Sequence, residues 1–148
     1  MAREIKFRGK TVPDGRWVYG YYVVMENETK TVTRHAIMDL LDKDNQYIKD
    51  GKSYHMSVSV VDAETVGQFT GLHDKNGKEI YEGDIICSPR GNKHYIVYDE
   101  NNGSYAAVKI GNKPEDGMCS ITKYWIEHYE KEVIGNIYDN PEIECGGD

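Results

Sequence analysis

Glu79, Glu82 and Asp84 are the closest approach in this chain to a set of catalytic acids. Carboxylates this near in sequence can divide acid and base roles or ligate a divalent cation. In an extended chain Glu82 and Asp84 would share a face, but Gly83 lies between them. Glu82-Gly83-Asp84 reads instead as a corner at the entrance to a strand, with Asp84 accepting backbone hydrogen bonds. The five histidines (His35, His55, His73, His94, His128) and three cysteines (Cys87, Cys119, Cys145) include no Cys-x-x-Cys and no histidine pair at helical metal spacing. Cys87 follows Ile85 and Ile86 and reads as a small core side chain, and a nucleophilic role for Cys87 or Cys119 would need a base beside it. Gly67, Gly71, Gly77 and Gly83 fall among strands and turns and not before a helix, and there is neither a Walker spacing nor a Gly-x-Ser-x-Gly elbow. The expectation is a protein that is not an enzyme, with no catalytic residue, no metal ligand and no cofactor.

A second chemistry is written into Arg8, Lys10, Arg16 and Trp17. With Tyr19 and Tyr21 they mix cations with rings on which the bases of a single-stranded nucleic acid could stack. Charge argues against it. Residues 1–62 carry ten Lys and Arg against nine Asp and Glu, a balance of +1; residues 63–148 carry eight against sixteen, a balance of −8; together they make the net −7. Nucleic-acid affinity comes largely from neutralising phosphates, and Trp17 and Tyr19 are expected to be needed in the core. Nucleic-acid binding through Arg8, Lys10, Arg16 and Trp17 is therefore the alternative reading. The leading one is protein–protein contact, including self-association. Twelve tyrosines stand against two Phe and two Trp, which suits half-buried rings on a thin β core and a surface able to make contacts. Small β units also expose edge strands that must be capped or paired.

The elements that would carry these side chains read mostly as strands. Ile5 and Phe7 alternate with Glu4, Lys6 and Arg8, and Trp17, Tyr19, Tyr21 and Val23 recur at a spacing of two, which predicts strands with one buried face. Val12-Pro13-Asp14-Gly15-Arg16 between them is a turn, so the two runs form a hairpin. Residues 31–38 suggest a further strand, with a single helical turn at 39–42 and an exposed connection at 43–52, and Met56-Ser57-Val58-Ser59-Val60 alternates again. Further along, residues 66–70 and 84–87 are strands around the Asp74-Lys75-Asn76-Gly77 turn, and residues 95–98 and 105–108 flank a second hairpin turn at 99–103. Ile121, Tyr124, Trp125, His128 and Tyr129 fall at helical spacing, whereas Tyr124, Ile126 and His128 would suit a strand; a short helix is preferred. Residues 133–138 close the set, and Asn140-Pro141 stops the last strand.

Three blocks together resemble the YopX family of phage and prophage proteins. They are Ile5-Lys6-Phe7-Arg8-Gly9-Lys10 with Trp17-Val18-Tyr19-Gly20; residues 65–86; and Val133-Ile134-Gly135-Asn136-Ile137-Tyr138-Asp139-Asn140-Pro141-Glu142. The tail departs mildly, with Ile143, Glu144 and Cys145 where the family often carries paired leucines. The resemblance implies a mainly β protein whose C-terminal part is an SH3-like small barrel; with the boundary that Asp62-Ala63-Glu64-Thr65 marks between two patterned regions, the expectation is an N-terminal β subdomain over residues 1–62 and the barrel over 63–148, with at most one or two short helices. The resemblance also implies a phage or prophage origin and no particular reaction. No apolar run approaches the ~20 residues that cross a bilayer, the N-terminus lacks the apolar stretch of a secretory signal, and three widely spaced cysteines fit reduced thiols. A cytoplasmic location away from the membrane is expected.

Overall fold

A computed structural model describes residues 2–39 and 57–145. The expected helical turn and connection over residues 40–52, together with His55, Met56 and the Cys145 side chain, lie outside the described residues. Within them the chain is mainly β and antiparallel throughout, with two short helices, and it divides into compact units at residues 1–68 and 69–148. The subdomain boundary expected at residues 62 and 63 falls at a 3-10 turn, Ala63–Thr65, capped by the Asp62 side chain.

In the first unit, β1 (Phe7–Lys10) and β2 (Trp17–Glu26) form the expected hairpin, with Phe7 opposite Gly20 and Lys10 opposite Trp17. Its turn closes through Thr11, whose amide donates to the Arg16 carbonyl at 2.9 Å. β3 (Thr33–Asp39) pairs with β2, and β4 (Ser57–Val60) with β3. Gly67 and Gln68, the first residues of β5 (Gly67–His73), pair with the other edge of β1. Among the described residues the buried apolar ones here are Ala36, Ile37 and Val61. Phe7, Tyr22 and His35 form a run of rings with centroids 5.7 and 5.9 Å apart. Ile5 does not join the buried face as its alternation suggests; it is exposed, because it precedes the paired segment and has no neighbour across the sheet.

In the second unit, Phe69 and His73 of β5 pair with a short strand, β6 (Glu79–Tyr81), which the sequence pattern alone did not separate from the turn before it. Then come β7 (Asp84–Cys87), β8 (Lys93–Asp99), β9 (Ser104–Lys109), β10 (Cys119–Ser120), helix α1 (Lys123–His128), β11 (Glu132–Asn136) and helix α2 (Pro141–Cys145). Strands β7 to β11 form one sheet in the order β10-β9-β8-β7-β11. Ile85 and Ile86 are adjacent, so they point to opposite faces, and both are fully buried. Ile86 packs with Ile80, Ile96, Ala107, Ile121, Ile126 and Val133; Ile85 packs with Tyr95 and Val108, against which Ile143 also lies. This explains why β7 reads as a continuous apolar run and not as an alternation.

Candidate contact surface and a buried lysine

The β2–β3–β4 register builds a rung of Tyr21, Met38 and Val58, and beside it a rung of Val23, Ala36 and Val60. Residues directly opposite one another share a sheet face, so these six side chains form one strip. Tyr21 is 50% and Val58 46% exposed, and Met25, two residues beyond Val23 on the same strand, is exposed as well. Among the described residues only Tyr81 and Tyr95 are buried tyrosines. Tyr19 is exposed too, which corrects its expected place in the core, and Trp17 is half-buried.

The basic and aromatic residues of the hairpin are brought together, but with one another. Arg8 is buried, and its guanidinium carbon lies 4.6 Å from the centroid of the Trp17 ring, with Lys10 Nζ at 5.7 Å. Arg16 stays exposed and reaches Asp14 at 3.9 Å.

The acidic trio is dispersed into local structure. Asp84, 1% exposed, accepts the Tyr81 amide at 2.8 Å, and Glu79 accepts the Tyr81 hydroxyl at 2.7 Å. Gly83 makes the corner with φ +84°, its amide donating to the Ile96 carbonyl and its carbonyl accepting from Ile137. A Cβ on Gly83 would stand 2.8 Å from Tyr138 Cε2, so a glycine is needed both for the left-handed backbone and for the close approach. Among the described residues no group of three His, Cys, Asp or Glu side chains is placed to hold a metal ion.

The most unusual ionisable group is one that spacing did not single out. Thr122 caps α1 by accepting the Trp125 amide at 3.1 Å; the helix ends at His128, and Glu130 just beyond it takes a left-handed conformation (φ 47°). The chain then turns inward, with the Lys131 amide donating to the Ile126 carbonyl and the Lys75 amide donating to the Lys131 carbonyl. Lys131 is consequently 2% exposed. Its Nζ lies 4.6 Å over the Trp125 ring, 3.4 Å from the Asn92 carbonyl oxygen and 3.5 Å from His94 Nδ1. Among the described residues no carboxylate forms an ion pair with it. Burial lowers the Lys131 pKa, opposed by the nearby Cys119 and Cys87 thiols; burial, then the Lys131 and Lys109 charges, lower that of His94 to about 4. A lone lysine ahead of a strand carries no sequence signal for this arrangement, since it depends on α1 folding back over β8.

The YopX protein family matches residues 6–143. The chain belongs to the YopX family. One solved structure, the crystal structure of protein EF1440 from Enterococcus faecalis, is similar to this YopX-family chain with a TM-score of 0.56 at 20% sequence identity, covering 97% of this chain and 99% of that one. At that identity the likeness speaks for the fold alone. No curated protein matches. Among the described residues no helix is long and apolar enough to cross a membrane.

Proposed function

We propose that this YopX-family chain is a phage- or prophage-encoded, non-enzymatic accessory protein of the cytoplasm that acts through protein–protein contacts and associates with itself. The observation that carries the reading is the Tyr21–Met38–Val58 rung, with Tyr21 and Val58 exposed and Met38 half-buried between them, and with exposed Met25 and Val60 on the same face of the first unit's sheet, around the buried Ala36. Contiguous apolar side chains of this kind on a sheet are characteristic of contact surfaces. The occupant is a second copy. Two first units can meet with little repulsion because residues 1–62 carry only +1, whereas contact through residues 63–148 would oppose −8 to −8. For the second unit, the strand order β10-β9-β8-β7-β11 with a short helix before the last strand supports the SH3-like small barrel reading.

Single-stranded nucleic-acid binding has weaker support, since burial and stacking engage Arg8 with Trp17 and Arg16 faces Asp14. Sedimentation velocity tests the leading reading at concentrations on the order of tens of micromolar, where linked association is visible. The wild type is expected to self-associate, and Tyr21→Glu or Val58→Lys to shift it to monomer with its circular dichroism unchanged. A wild type that stays monomeric over that range refutes it.

A further inference from the structure

A second surface of different chemistry lies on α1. Tyr124 stacks on His128 with centroids 5.3 Å apart and planes 16° from parallel; His128 meets the edge of Tyr129 at 4.8 Å, and Tyr129 meets Trp125 at 6.2 Å. Trp125 and Ile126 anchor this run to the core, while Tyr124 is 71% exposed and Tyr129 50%. Glu127 and Glu130, both exposed, lie among these rings in sequence. The one competing cation on the helix, Lys123, reaches Glu127 at 3.7 Å with both side chains largely in solvent, an arrangement that contributes little and is easily exchanged. On their inner side the same rings already hold a cation: Lys131 Nζ stands 4.6 Å from the Trp125 centroid and 6.0 Å from that of Tyr129.

We propose that the outer face of α1 binds an arginine-bearing, cationic segment of another protein, with guanidinium planes stacking on Tyr124, His128 and Tyr129 and the charge paired with Glu127 and Glu130. Charge decides the partner's class. A polyanion would meet a unit in which residues 63–148 balance to −8, while a cationic segment is drawn to it and finds rings whose faces attract guanidinium. Arginine is favoured over lysine because a planar, weakly hydrated group stacks on an aromatic face at lower desolvation cost. This surface belongs to the second unit and does not rest on self-association through the first.

Fluorescence anisotropy of a labelled oligo-arginine peptide on the full chain tests it. Binding that weakens with salt is expected, with Tyr124→Ser reducing affinity roughly ten-fold, as for an interface anchor. Glu130→Gln should reduce affinity and flatten the salt dependence, and an oligo-lysine peptide of equal length should bind more weakly. Tyr21→Glu should leave peptide affinity unchanged, which separates this site from the self-association surface. Equal binding of oligo-lysine together with no effect of Tyr124→Ser would leave only diffuse charge attraction and overturn the proposal. So would tighter binding of an oligonucleotide, or no peptide binding at all.

Discussion

Replacing Lys131 by methionine is expected to raise the stability of the second unit. Lys131 is 2% exposed as a residue and no carboxylate among the described residues forms an ion pair with it. Taking it out of water costs several kcal/mol even after relaxation. Against that, the Trp125 face at 4.6 Å returns about 2 kcal/mol when desolvated, and the long hydrogen bond to the Asn92 carbonyl at 3.4 Å about 1 kcal/mol or less. Methionine keeps the volume and the stem's apolar contacts and removes the charge, so the Lys131→Met variant should gain about 1–2 kcal/mol near neutral pH. Proton linkage gives this prediction a second arm. The Lys131 pKa is lowered in the fold from 10.5, so between its folded value and 10.5 the unfolded chain holds more protons and wild-type stability rises with pH. The methionine variant lacks that rise, and its advantage should narrow in alkaline solution. His94 supplies a third arm, because removing the Lys131 charge should move its pKa up from about 4 toward 6.5. Urea denaturation followed by circular dichroism at neutral and alkaline pH, with an NMR titration of His94, measures all three. A variant destabilised by more than about 1 kcal/mol near neutral pH, with an unmoved His94 titration, would show that the charge is a net stabiliser and refute the reasoning.

Other perturbations separate the roles of the corner and the proton-linked site. Asp84→Ala leaves the Tyr81 amide without its buried acceptor and should cost about 2–3 kcal/mol in chemical denaturation; unchanged stability alongside a lost divalent-cation affinity would restore the metal reading of the trio. Gly83→Ala places a Cβ at φ +84° and 2.8 Å from Tyr138, and a loss of about 1–3 kcal/mol is expected, measured as a lowered urea midpoint. In the wild type, His94 resists protonation in the fold, so stability is fully present above 6.5 and is lost as pH falls from 6.5 toward 4. The depression of its pKa corresponds to about 3 kcal/mol, reduced to about 1–2 kcal/mol because the half-buried ring is partly screened by solvent. Thermal melts across that window should show the decline, and His94→Asn should flatten it.

Much of the architecture was legible because it is local. Alternation at a spacing of two placed β2, Pro-Asp-Gly placed the turn before it, the Asn-Gly turn at 99–103 placed β8 and β9 on either side, and Ile121, Tyr124, Trp125, His128 and Tyr129 at helical spacing placed α1, each through forces acting within a few residues. The corner role of Asp84 was legible for the same reason, since a glycine next to a carboxylate specifies both a bend and an acceptor for it. Other features depend on partners far apart in the chain. Tyr19 and Tyr21 read as core and stand exposed, while Ala36 on the same face of the sheet and Ile37 on the other are both fully buried, so which side chains are covered is decided by long-range packing and not by alternation alone. Ile85 and Ile86 share one local pattern yet serve two separate cores. Lys131 is an ordinary surface residue by composition. Folding α1 over β8 sets its amine against Trp125 and His94, and long-range burial, which no short window of sequence encodes, makes it a buried charge with a lowered pKa.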